Sequence, residues 1–479
     1  MSSYDNIPYP MYLSDDMYPD HLAVKAWFHG LQAPPPGASR VLELGCGAGW
    51  SLIAFGYALP GSQFYGVDLC ESDIRRGQEW VERLGLRNIH LRAGDVMEIG
   101  EADGQFDYIV AHGLFSWVPD FVRDRILAIC RDRLAPNGVG YLSFNTLPGG
   151  HIRLMLREML LIHTRAQTSD EARLEQAYQL LQMLTEQPMP DSVYHLALQK
   201  AAERFERQPR QQILYDELSP DNRHFYFHEF ATLLMKNGLD YLDDAGFADP
   251  IAGLPPRTQE LFSRMTDRIA REQYLDFFHG RGFRSAVFCR QGARREWKAA
   301  APMVAGLHFA GPAKMAGLGP ESGEQRWLGL GSGEISLTDS TSPRVFARLG
   351  EVWPRSIAGA DLMESAGPGA AELLAVTLYN AVNAGILRAY VHPPACVRTP
   401  GERPRASALA RAQADQSFVS TLACDALKLA GNGEAALRNV LPLLDGTRTR
   451  AELAITAGHT EAEIEEILTQ FVKMEVMEA

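Results

Sequence analysis

The sequence has few cysteines, and they are not arranged in pairs. Its 479 residues include six, at positions 46, 70, 130, 289, 396 and 424. Zinc sites and thiol redox centres typically show C-x-x-C pairs, and disulfide-stabilised domains show dense sets of cysteines. Neither the cysteines nor the histidines show the spacing of metal ligands here. We therefore expect reduced thiols and no bound metal.

The sequence also lacks a long apolar run and an excess of positive charge. No apolar segment approaches the roughly 18 residues of a membrane span, and the first residues lack the basic and apolar regions of a secretory signal. We expect a cytoplasmic protein with no membrane insertion. The formal net charge of −13 argues against a nucleic-acid partner, because such binding needs clustered Lys and Arg to displace phosphate counterions.

An apolar strand that runs into three alternate glycines is the main positive signal. The residues are Gly45, Gly47 and Gly49. Without a Cβ atom, the backbone can turn sharply and approach a ligand before a helix begins. A nicotinamide or flavin fingerprint, G-x-G-x-x-G, would need its third glycine at position 50, where this chain has Trp50. The spacing predicts S-adenosylmethionine instead.

Two aspartates end the next two predicted strands. Asp68 lies 19 residues after Gly49, the separation that a βαβ unit needs to bring an acid to the ribose hydroxyls. Asp95 ends the third strand and is suited to accept a hydrogen bond from the adenine amino group. Either aspartate alone would more simply be a helix cap or a turn residue. Together, downstream of the glycines, they favour cofactor binding.

The alternation of strands and helices continues and predicts the fold class. The next predicted elements are a strand at Phe106–Ala111, a helix at Asp124–Leu134, a turn at Pro136–Gly138 and a strand at Val139–Phe144. Two more strands, antiparallel at one edge, are predicted at Leu239–Leu242 and Arg284–Arg290. We predict an α/β, Rossmann-like, doubly wound sheet of seven strands, six parallel and one antiparallel. Ligands bind beyond the carboxyl ends of such strands, so His112–Pro119 and Asn145–Gly150 should form the site.

The remaining chain predicts a helical insert and two C-terminal modules. His151–Arg210 is helical in period, with breaks near 187–190 and at Pro209, and is placed to cover a substrate cleft. After about residue 295, two winged-helix-like α+β modules follow. Residues 401–479 hold 8 Lys plus Arg against 12 Asp plus Glu, so protein contacts are expected rather than DNA. The predicted domains are a lid and cofactor core (1–165), the insert (166–215), a regulatory region completing the sheet (216–295), and the modules 296–398 and 399–479.

The glycine motif and the two aspartates are similar to those of class I S-adenosylmethionine-dependent methyltransferases. More narrowly, several stretches resemble the bacterial methyltransferases that carry a methyltransferase regulatory domain, a group that includes protein-lysine methyltransferases acting on outer-membrane proteins. These stretches are Tyr4–Pro10, His112–Pro119, Asn145–Gly149, Leu218–Phe230 and Arg271–Phe277. One departure is Gly150, which stands where an aromatic residue is expected in the acceptor pocket.

The resemblance implies methyl transfer to a nitrogen, in the first place to a lysine of a protein substrate such as an outer-membrane or surface protein. It implies that the cofactor is held by Glu43, Gly45, Gly47, Gly49, Asp68, Asp95 and His112. Catalysis and acceptor binding are expected from Tyr9, His112, Trp117 and Asn145, with Tyr4 and Phe115 as further pocket candidates. Each also has a structural interpretation, namely core packing for the aromatic residues, anchoring of the terminus for the tyrosines, and hydrogen bonding for His112 and Asn145.

The expected chemistry asks for positioning and for removal of one proton. A sulfonium is already a good leaving group, so the rate comes mainly from holding an acceptor lone pair in line. A lysine ammonium, with an ordinary pKa of about 10.4, must first lose a proton. Two alternatives stay open. One is a small-molecule methyltransferase, unusual for a chain with so many accessory domains, and the other is a non-catalytic cofactor-binding regulator, since no catalytic base is evident. The oligomeric state is not indicated.

Overall fold

The structure is a computed structural model, and it describes residues 9–186, 192–247, 250–251, 253–295, 299–320, 323–331, 333–367, 369–429 and 434–478. The strands are β1 (Arg40–Leu44), β2 (Gln63–Asp68), β3 (Ile89–Ala93), β4 (Phe106–Ala111), β5 (Leu134–Thr146), β6 (His224–Phe225), β7 (Leu239–Asp244), β8 (Phe283–Arg290), β9 (His308–Ala310), β10 (Lys314–Leu318), β11 (Gln325–Leu328), β12 (Glu334–Leu337), β13 (Ile357–Ala358), β14 (Arg388–Tyr390), β15 (Arg405–Ala406), β16 (Val419–Ser420), β17 (Ala426–Leu427) and β18 (Met477–Glu478).

Helices connect these strands along the whole chain. They are α1 (Pro19–Phe28), α2 (Trp50–Ala58), α3 (Glu71–Leu84), α4 (Asp120–Arg133), α5 (Gly150–Thr164), α6 (Asp170–Glu186), α7 (Val193–Glu206), α8 (Arg210–Gln212), α9 (Phe227–Lys236), α10 (Pro256–Ser263), α11 (Arg268–His279), α12 (Ala300–Ala305), α13 (Ser342–Val352), α14 (Gly359–Ala366), α15 (Ala371–Asn383), α16 (Ala408–Ala412), α17 (Glu434–Val440), α18 (Arg450–Ala457) and α19 (Glu461–Lys473).

The central sheet has the strand order β3-β2-β1-β4-β5-β8-β7, with the short β6 paired to β5. Strands β1 to β5 pair in parallel, whereas β8 runs antiparallel to both β5 and β7. The predicted sheet of six parallel strands and one antiparallel strand is therefore confirmed, with the two-residue β6 as an addition. The antiparallel strand β8 lies inside the sheet, and β7 forms the edge.

Strand β5 begins earlier than its predicted start at Val139. Leu134 pairs with Phe106 of β4, and the register then shifts so that Tyr108 pairs with Val139. The predicted turn at Pro136–Gly138 lies inside this irregularity, because β5 accommodates the extra residues between its two paired segments. The Pro and Gly residues therefore predicted the position of the irregularity correctly, but they did not predict where the strand begins.

Apolar residues of the strands alternate between two layers of helices. Val41 packs on one face of the sheet, in the core that includes Phe55 of α2. Leu42 and Leu44 pack on the other face, in the core that includes Ile126 of α4. Because successive side chains of a strand point to opposite faces, a strand covered on both sides is apolar throughout. Because β1, β4 and β5 run parallel, their carboxyl ends lie at the same edge of the sheet, which is where ligands bind in such folds.

The helices α5, α6 and α7 form the predicted helical insert and share a core of their own. The predicted break near residues 187–190 lies outside the described residues. The second predicted break is observed, since α7 ends at Glu206 and Pro209 directly precedes α8. A π-helical turn, Ile213–Glu217, then leads the chain back to the sheet.

The C-terminal part contains small sheets packed with helices, as predicted. A hairpin of β11 and β12 belongs to one three-stranded sheet, and β13, β9 and β14 form another. In the last part, α18 and α19 each begin with a capping box, in which Thr449 pairs with Glu452 and Thr460 with Glu463. Such boxes satisfy free backbone N–H groups and fix where a helix begins. The exact domain boundaries stay predictions.

No helix in the described part of the chain combines the length and apolarity needed to cross a bilayer. Among the described residues there is also no group of three or more His, Cys, Asp or Glu side chains placed to hold a metal ion.

Candidate functional site

The glycine loop connects β1 to α2 and has the backbone that its sequence predicts. Gly45, Gly47 and Gly49 have φ angles of +73°, +53° and +69°, in the left-handed region that side chains with a Cβ disfavour. Gly45 N donates to Val67 O at 2.9 Å, which ties the loop to the end of β2. Gly49 is the residue directly before α2, so the loop presents the N-terminus of that helix to the cleft.

Neighbouring side chains show which glycine faces open space. A Cβ at Gly45 would lie 3.1 Å from Leu114, and one at Gly49 would lie 2.8 Å from Leu91. A Cβ at Gly47 would have no described atom within 4 Å. The first and third glycines thus allow close packing, whereas Gly47 borders the cleft. This open backbone at the N-terminus of a helix fits an adenosyl cofactor.

The Asp68 side chain supports the loop from the end of β2. Its Oδ2 accepts from Gly47 N at 2.8 Å, and its Oδ1 accepts from Cys70 N at 2.8 Å. Burial raises the pKa of Asp68, while these two hydrogen bonds act in the opposite direction. Each carboxylate oxygen keeps a further lone pair, so Asp68 remains suited to accept from ribose hydroxyls.

Glu43 is buried on β1 just before the glycine loop. Burial, followed by repulsion from Asp68, raises the pKa of Glu43 to about 8. Its Oε2 has no hydrogen-bond partner among the described residues. A buried oxygen without a partner is costly, and a cofactor donor group or an ordered water would satisfy it. This feature also fits a polar ligand at the loop.

Asp95 lies beyond β3, and its side chain caps a short 3₁₀ turn. Its Oδ1 accepts from Met97 N at 2.9 Å, the role expected of an isolated aspartate at such a position. The sequence alone did not indicate two apolar neighbours, Leu69 and Met97, which are 69% and 39% exposed. Leu69 directly follows Asp68, and Met97 lies two residues after Asp95, so exposed apolar side chains accompany both aspartates and suit contact with a flat base.

His112 follows β4 and is enclosed by aromatic rings. Its Nδ1 lies 2.7 Å from the Tyr141 hydroxyl, which itself donates to Ser285 Oγ at 3.1 Å. Burial lowers the pKa of His112 to about 4, so the ring is neutral near pH 7. Tyr12 stacks on it at 5.1 Å between ring centroids.

The described part of the N-terminal segment contacts this side of the sheet, and its role as a lid stays a prediction. Tyr12 covers His112, and Ser14 N donates to Ser51 Oγ in the first turn of α2 at 3.4 Å. The sequence did not indicate Tyr12, although it lies two residues after the stretch that carries the family resemblance. Tyr4 lies outside the described residues.

A second polar cluster lies beyond β4 and β5. Asn145 Nδ2 donates to Asn222 Oδ1 at 2.8 Å, and its Oδ1 accepts from Arg153 Nη1 at 3.2 Å. Trp117 Nε1 donates to the backbone oxygen of Asp216 at 3.4 Å. Tyr9 forms a hydrogen bond with the Asp216 side chain. The structure therefore brings three predicted residues, Tyr9, Trp117 and Asn145, to one place.

The sequence did not indicate the charged members of this cluster. Arg153 lies 2.6 Å from Glu217 and 4.0 Å from Asp216. Burial raises the pKa of Asp216 to about 7, and Arg153 acts against that rise. Asp216 and Glu217 directly precede the family-like stretch that begins at Leu218, which was the available signal.

Two predictions about the pocket change with the structure. Phe115 is fully buried and packs on Phe225 and Phe230, so it belongs to the core and its assignment as a pocket candidate is wrong. At Gly150, a Cβ would collide with the imidazole ring of His224. The His224 ring therefore leaves no room for a side chain at position 150, which fits the glycine found there.

Three family models match separate parts of the chain. Residues 41–138 match a methyltransferase domain, residues 209–290 a predicted methyltransferase regulatory domain, and residues 402–456 the C-terminal winged helix domain of PKMT. An uncharacterised protein of Rickettsia prowazekii is 33% identical over 235 residues, which are 49% of this chain and 94% of that relative. The chain belongs to the class I methyltransferases that carry a methyltransferase regulatory domain. The resemblance predicted from the motifs is thereby confirmed.

Other relatives of this methyltransferase are similar over different lengths. A second uncharacterised protein of Rickettsia prowazekii is 36% identical over 288 residues, or 60% of this chain, and the chain spans only about half (52%) of that relative. PKMT2 of Rickettsia typhi, solved in complex with AdoHcy, is 24% identical with a TM-score of 0.82. That match covers 98% of this chain and all of the other. It establishes a shared fold along the whole length.

Proposed function

We propose that this protein transfers a methyl group from S-adenosylmethionine to the side-chain amine of a lysine in a protein substrate. The observation that carries the proposal is the placement of two sites at one edge of the sheet. The open glycine loop at Gly47 lies beyond β1, and the polar cluster of Trp117, Asn145 and Asp216 lies beyond β4 and β5. A transferase needs a donor site and an acceptor site within reach of each other.

In this proposal the cofactor is held by the glycine loop and by residues at the ends of the neighbouring strands. Gly45, Gly47 and Gly49 let the backbone approach it, Asp68 accepts from the ribose, and Asp95 stays the candidate for the adenine edge. Glu43 and the neutral His112 line the loop and the β4 end of the cleft. When bound, S-adenosylmethionine supplies an activated methyl group on a sulfonium. The residues of the protein bind the cofactor and orient it.

The acceptor side would be formed by Tyr9, Trp117 and Asn145. Tyr9 lies on the N-terminal segment, so it reaches the site only when that segment covers the cleft. Asn145 is fixed by Arg153 and Asn222, which orients its amide at the end of β5. Aromatic walls and polar groups together bind a cationic side chain and remove water from it.

The choice of a protein lysine rests on the accessory parts and on what similar proteins are called. The winged helix match and the structural match both carry the name PKMT, in keeping with the resemblance to protein-lysine methyltransferases. The net charge of −13 suits a basic or lysine-bearing protein better than a nucleic acid. Action in the cytoplasm, on a protein destined for the outer membrane or surface, is part of this proposal.

The test is to incubate the purified chain and methyl-labelled S-adenosylmethionine with denatured membrane proteins of the host. We expect a labelled protein band, and mass spectrometry should place the added methyl groups on lysine. The Gly47→Val variant serves as the control without cofactor binding. Label found only in small molecules would instead establish a small-molecule methyltransferase. Calorimetric binding of S-adenosylmethionine without any transfer would establish a regulator.

A further inference from the structure

The backbone of Asp216 is held firmly at the acceptor site. Its carbonyl oxygen accepts from Asn222 Nδ2 at 2.8 Å and from Trp117 Nε1 at 3.4 Å. Asp216 belongs to the π-helical turn Ile213–Glu217. Such turns occur often at functional sites. Hydrogen bonds from two separate segments of the chain therefore fix the backbone position of Asp216.

Of the two carboxylates beside Arg153, Asp216 makes the weaker contact with this cation. Arg153 contacts Glu217 at 2.6 Å through Nη2 and 2.8 Å through Nε, and the Glu217 side chain is 0% exposed. The distance from Arg153 to Asp216 is 4.0 Å. Arg153 also donates to Asn145. The guanidinium is thus committed to Glu217 and Asn145, and Asp216 can accept a second cation.

The Asp216 side chain is also partly accessible, and aromatic residues lie near it. Its side chain is 23% exposed, in contrast to its neighbour Glu217. The Tyr9 hydroxyl donates to its carboxylate, and the Tyr9 ring lies 6.1 Å from that of Tyr215. Trp117 contacts the same residue from the β4 side. A carboxylate beside aromatic rings suits an alkylammonium ion.

We propose that Asp216 binds the ammonium group of the acceptor lysine and takes its proton before methyl transfer. This inference rests on the proposed function and adds the missing base to it. One N–H bond of the ammonium breaks and an O–H bond forms on Asp216. The freed nitrogen lone pair then forms the N–C bond while the methyl–sulfur bond breaks. The proton on Asp216 leaves to solvent water, which restores the carboxylate.

The environment of Asp216 sets a basicity that suits this role. Burial is the largest effect and raises the pKa of Asp216 to about 7. The charged and titratable groups that face it are Arg153 on α5, Glu217 on its own turn and Tyr9 from the N-terminal segment. A base with a pKa near the working pH is the most efficient. An ordinary aspartate would be too weak a base for a lysine ammonium.

The first test is the Asp216→Asn variant, assayed with S-adenosylmethionine and a lysine peptide methylated by the wild type. We expect kcat to fall by about a hundredfold or more, the usual effect of losing a general base. The affinity for S-adenosylmethionine, measured by calorimetry, should stay unchanged. The matched control is Asp221→Asn, the same change in the same segment, which should keep kcat. Unchanged kcat in Asp216→Asn would overturn the proposal.

The second test uses the wild-type protein and does not depend on how a variant folds. The pH dependence of kcat is compared for the lysine peptide and for a peptide with the less basic aminoethylcysteine at the acceptor position. If Asp216 takes the proton, both profiles rise with the same midpoint near 7. A midpoint that moves with the amine would show that the substrate loses its proton to water, and would contradict the role of Asp216.

The two proposals fail in different ways. If the wild type labels no lysine in any protein, the proposed function is wrong, and the role of Asp216 as a base for lysine is wrong with it. If the wild type methylates lysine and Asp216→Asn does so equally well, only the inference about Asp216 fails.

Discussion

Gly47 and Gly85 have almost the same backbone but lie in different surroundings. Their φ angles are +53° and +66°, and a Cβ at either would have no described atom within 4 Å. Gly47 borders the cleft in the glycine loop, whereas Gly85 ends α3 as its C-cap. Any difference between the same substitution at the two positions therefore reports the cleft and not the backbone strain.

At the residue scale, we predict that Gly47→Val abolishes binding of S-adenosylmethionine while the fold survives. Left-handed backbone costs a residue with a Cβ about 1–2 kcal/mol, which a chain of this size tolerates. Gly85→Val should lose about the same stability but keep its cofactor affinity. Calorimetric titration and urea denaturation of both variants check this. Normal affinity in Gly47→Val would contradict the assignment of the loop.

At the scale of elements, α1 is joined to β7 by a largely buried ion pair. Lys25 Nζ lies 3.0 Å from Asp243 Oδ2, and the Lys25 side chain is 4% exposed. His29 Nε2 lies 3.0 Å from the same oxygen. Hydrogen bonds and charge from His29 and Lys25 outweigh burial and hold the pKa of Asp243 well below its ordinary value. The end of α1 is thereby fixed against the edge strand of the sheet.

We predict that this ion pair makes the stability of the protein sensitive to acid. Because the pKa of Asp243 is lowered on folding, its contribution is fully present above the ordinary aspartate pKa of about 3.9 and is lost as the pH falls below it. The difference in unfolding free energy between the wild type and Asp243→Asn should therefore shrink in acid. Urea denaturation between pH 7 and pH 3 measures it.

The control for this prediction is Asp132→Asn, which removes an exposed ion pair with Arg131. Exposed pairs contribute little to stability, so this variant should follow the wild type at each pH. If the wild type and Asp243→Asn keep the same difference down to pH 3, the pair does not act as described.

At the scale of the whole molecule, the C-terminal modules pack directly on the methyltransferase part. The buried Asp20 of α1 accepts from the backbone nitrogens of Val391 and His392, which follow β14. Tyr57 of α2 donates to Glu478 Oε1 at 2.6 Å. Helix α1 thus contacts the segment after β14, and α2, which follows the cofactor loop, contacts β18. Both accessory modules are therefore joined to the methyltransferase part by buried or partly buried hydrogen bonds.

We predict that Asp20 makes the stability of the protein fall as the pH rises. Burial raises the pKa of Asp20 to about 8, so the folded protein holds a proton that the unfolded chain releases near its ordinary pKa of about 3.9. The unfolding free energy then decreases between about pH 4 and pH 8. In Asp20→Asn this decrease should be smaller but not absent, because Glu43 and Asp216 also have raised pKa values, and above pH 8 the variant should be at least as stable as the wild type.

Urea denaturation of both proteins at several pH values checks this prediction. Asp20→Ala is the informative control, because it leaves two buried N–H groups without an acceptor and should cost about 1–3 kcal/mol for each. An equal pH response of the wild type and Asp20→Asn would show that Asp20 does not hold a proton in the folded protein.

The sequence by itself determined the sheet, its mixed strand directions and the cofactor loop. These follow from local signals, since apolar strands, turn residues and the positive φ of Gly45, Gly47 and Gly49 are properties of short segments. It also indicated Tyr9, Trp117 and Asn145, because each lies in or beside a family-like stretch. Strand β5 shows where such prediction fails. Its first residue, Leu134, is determined by pairing with β4, and the Pro and Gly residues of the segment did not indicate this pairing.

Only the tertiary structure decided which side chains share the polar cluster that we propose as the acceptor site. Asp216 meets Tyr9 and Trp117 through contacts between segments far apart in the chain, and burial among them changes its basicity. The same holds for Gly150, whose missing side chain makes sense only beside the ring of His224. Proximity and desolvation arise when distant segments pack together. No local pattern of residues encodes them.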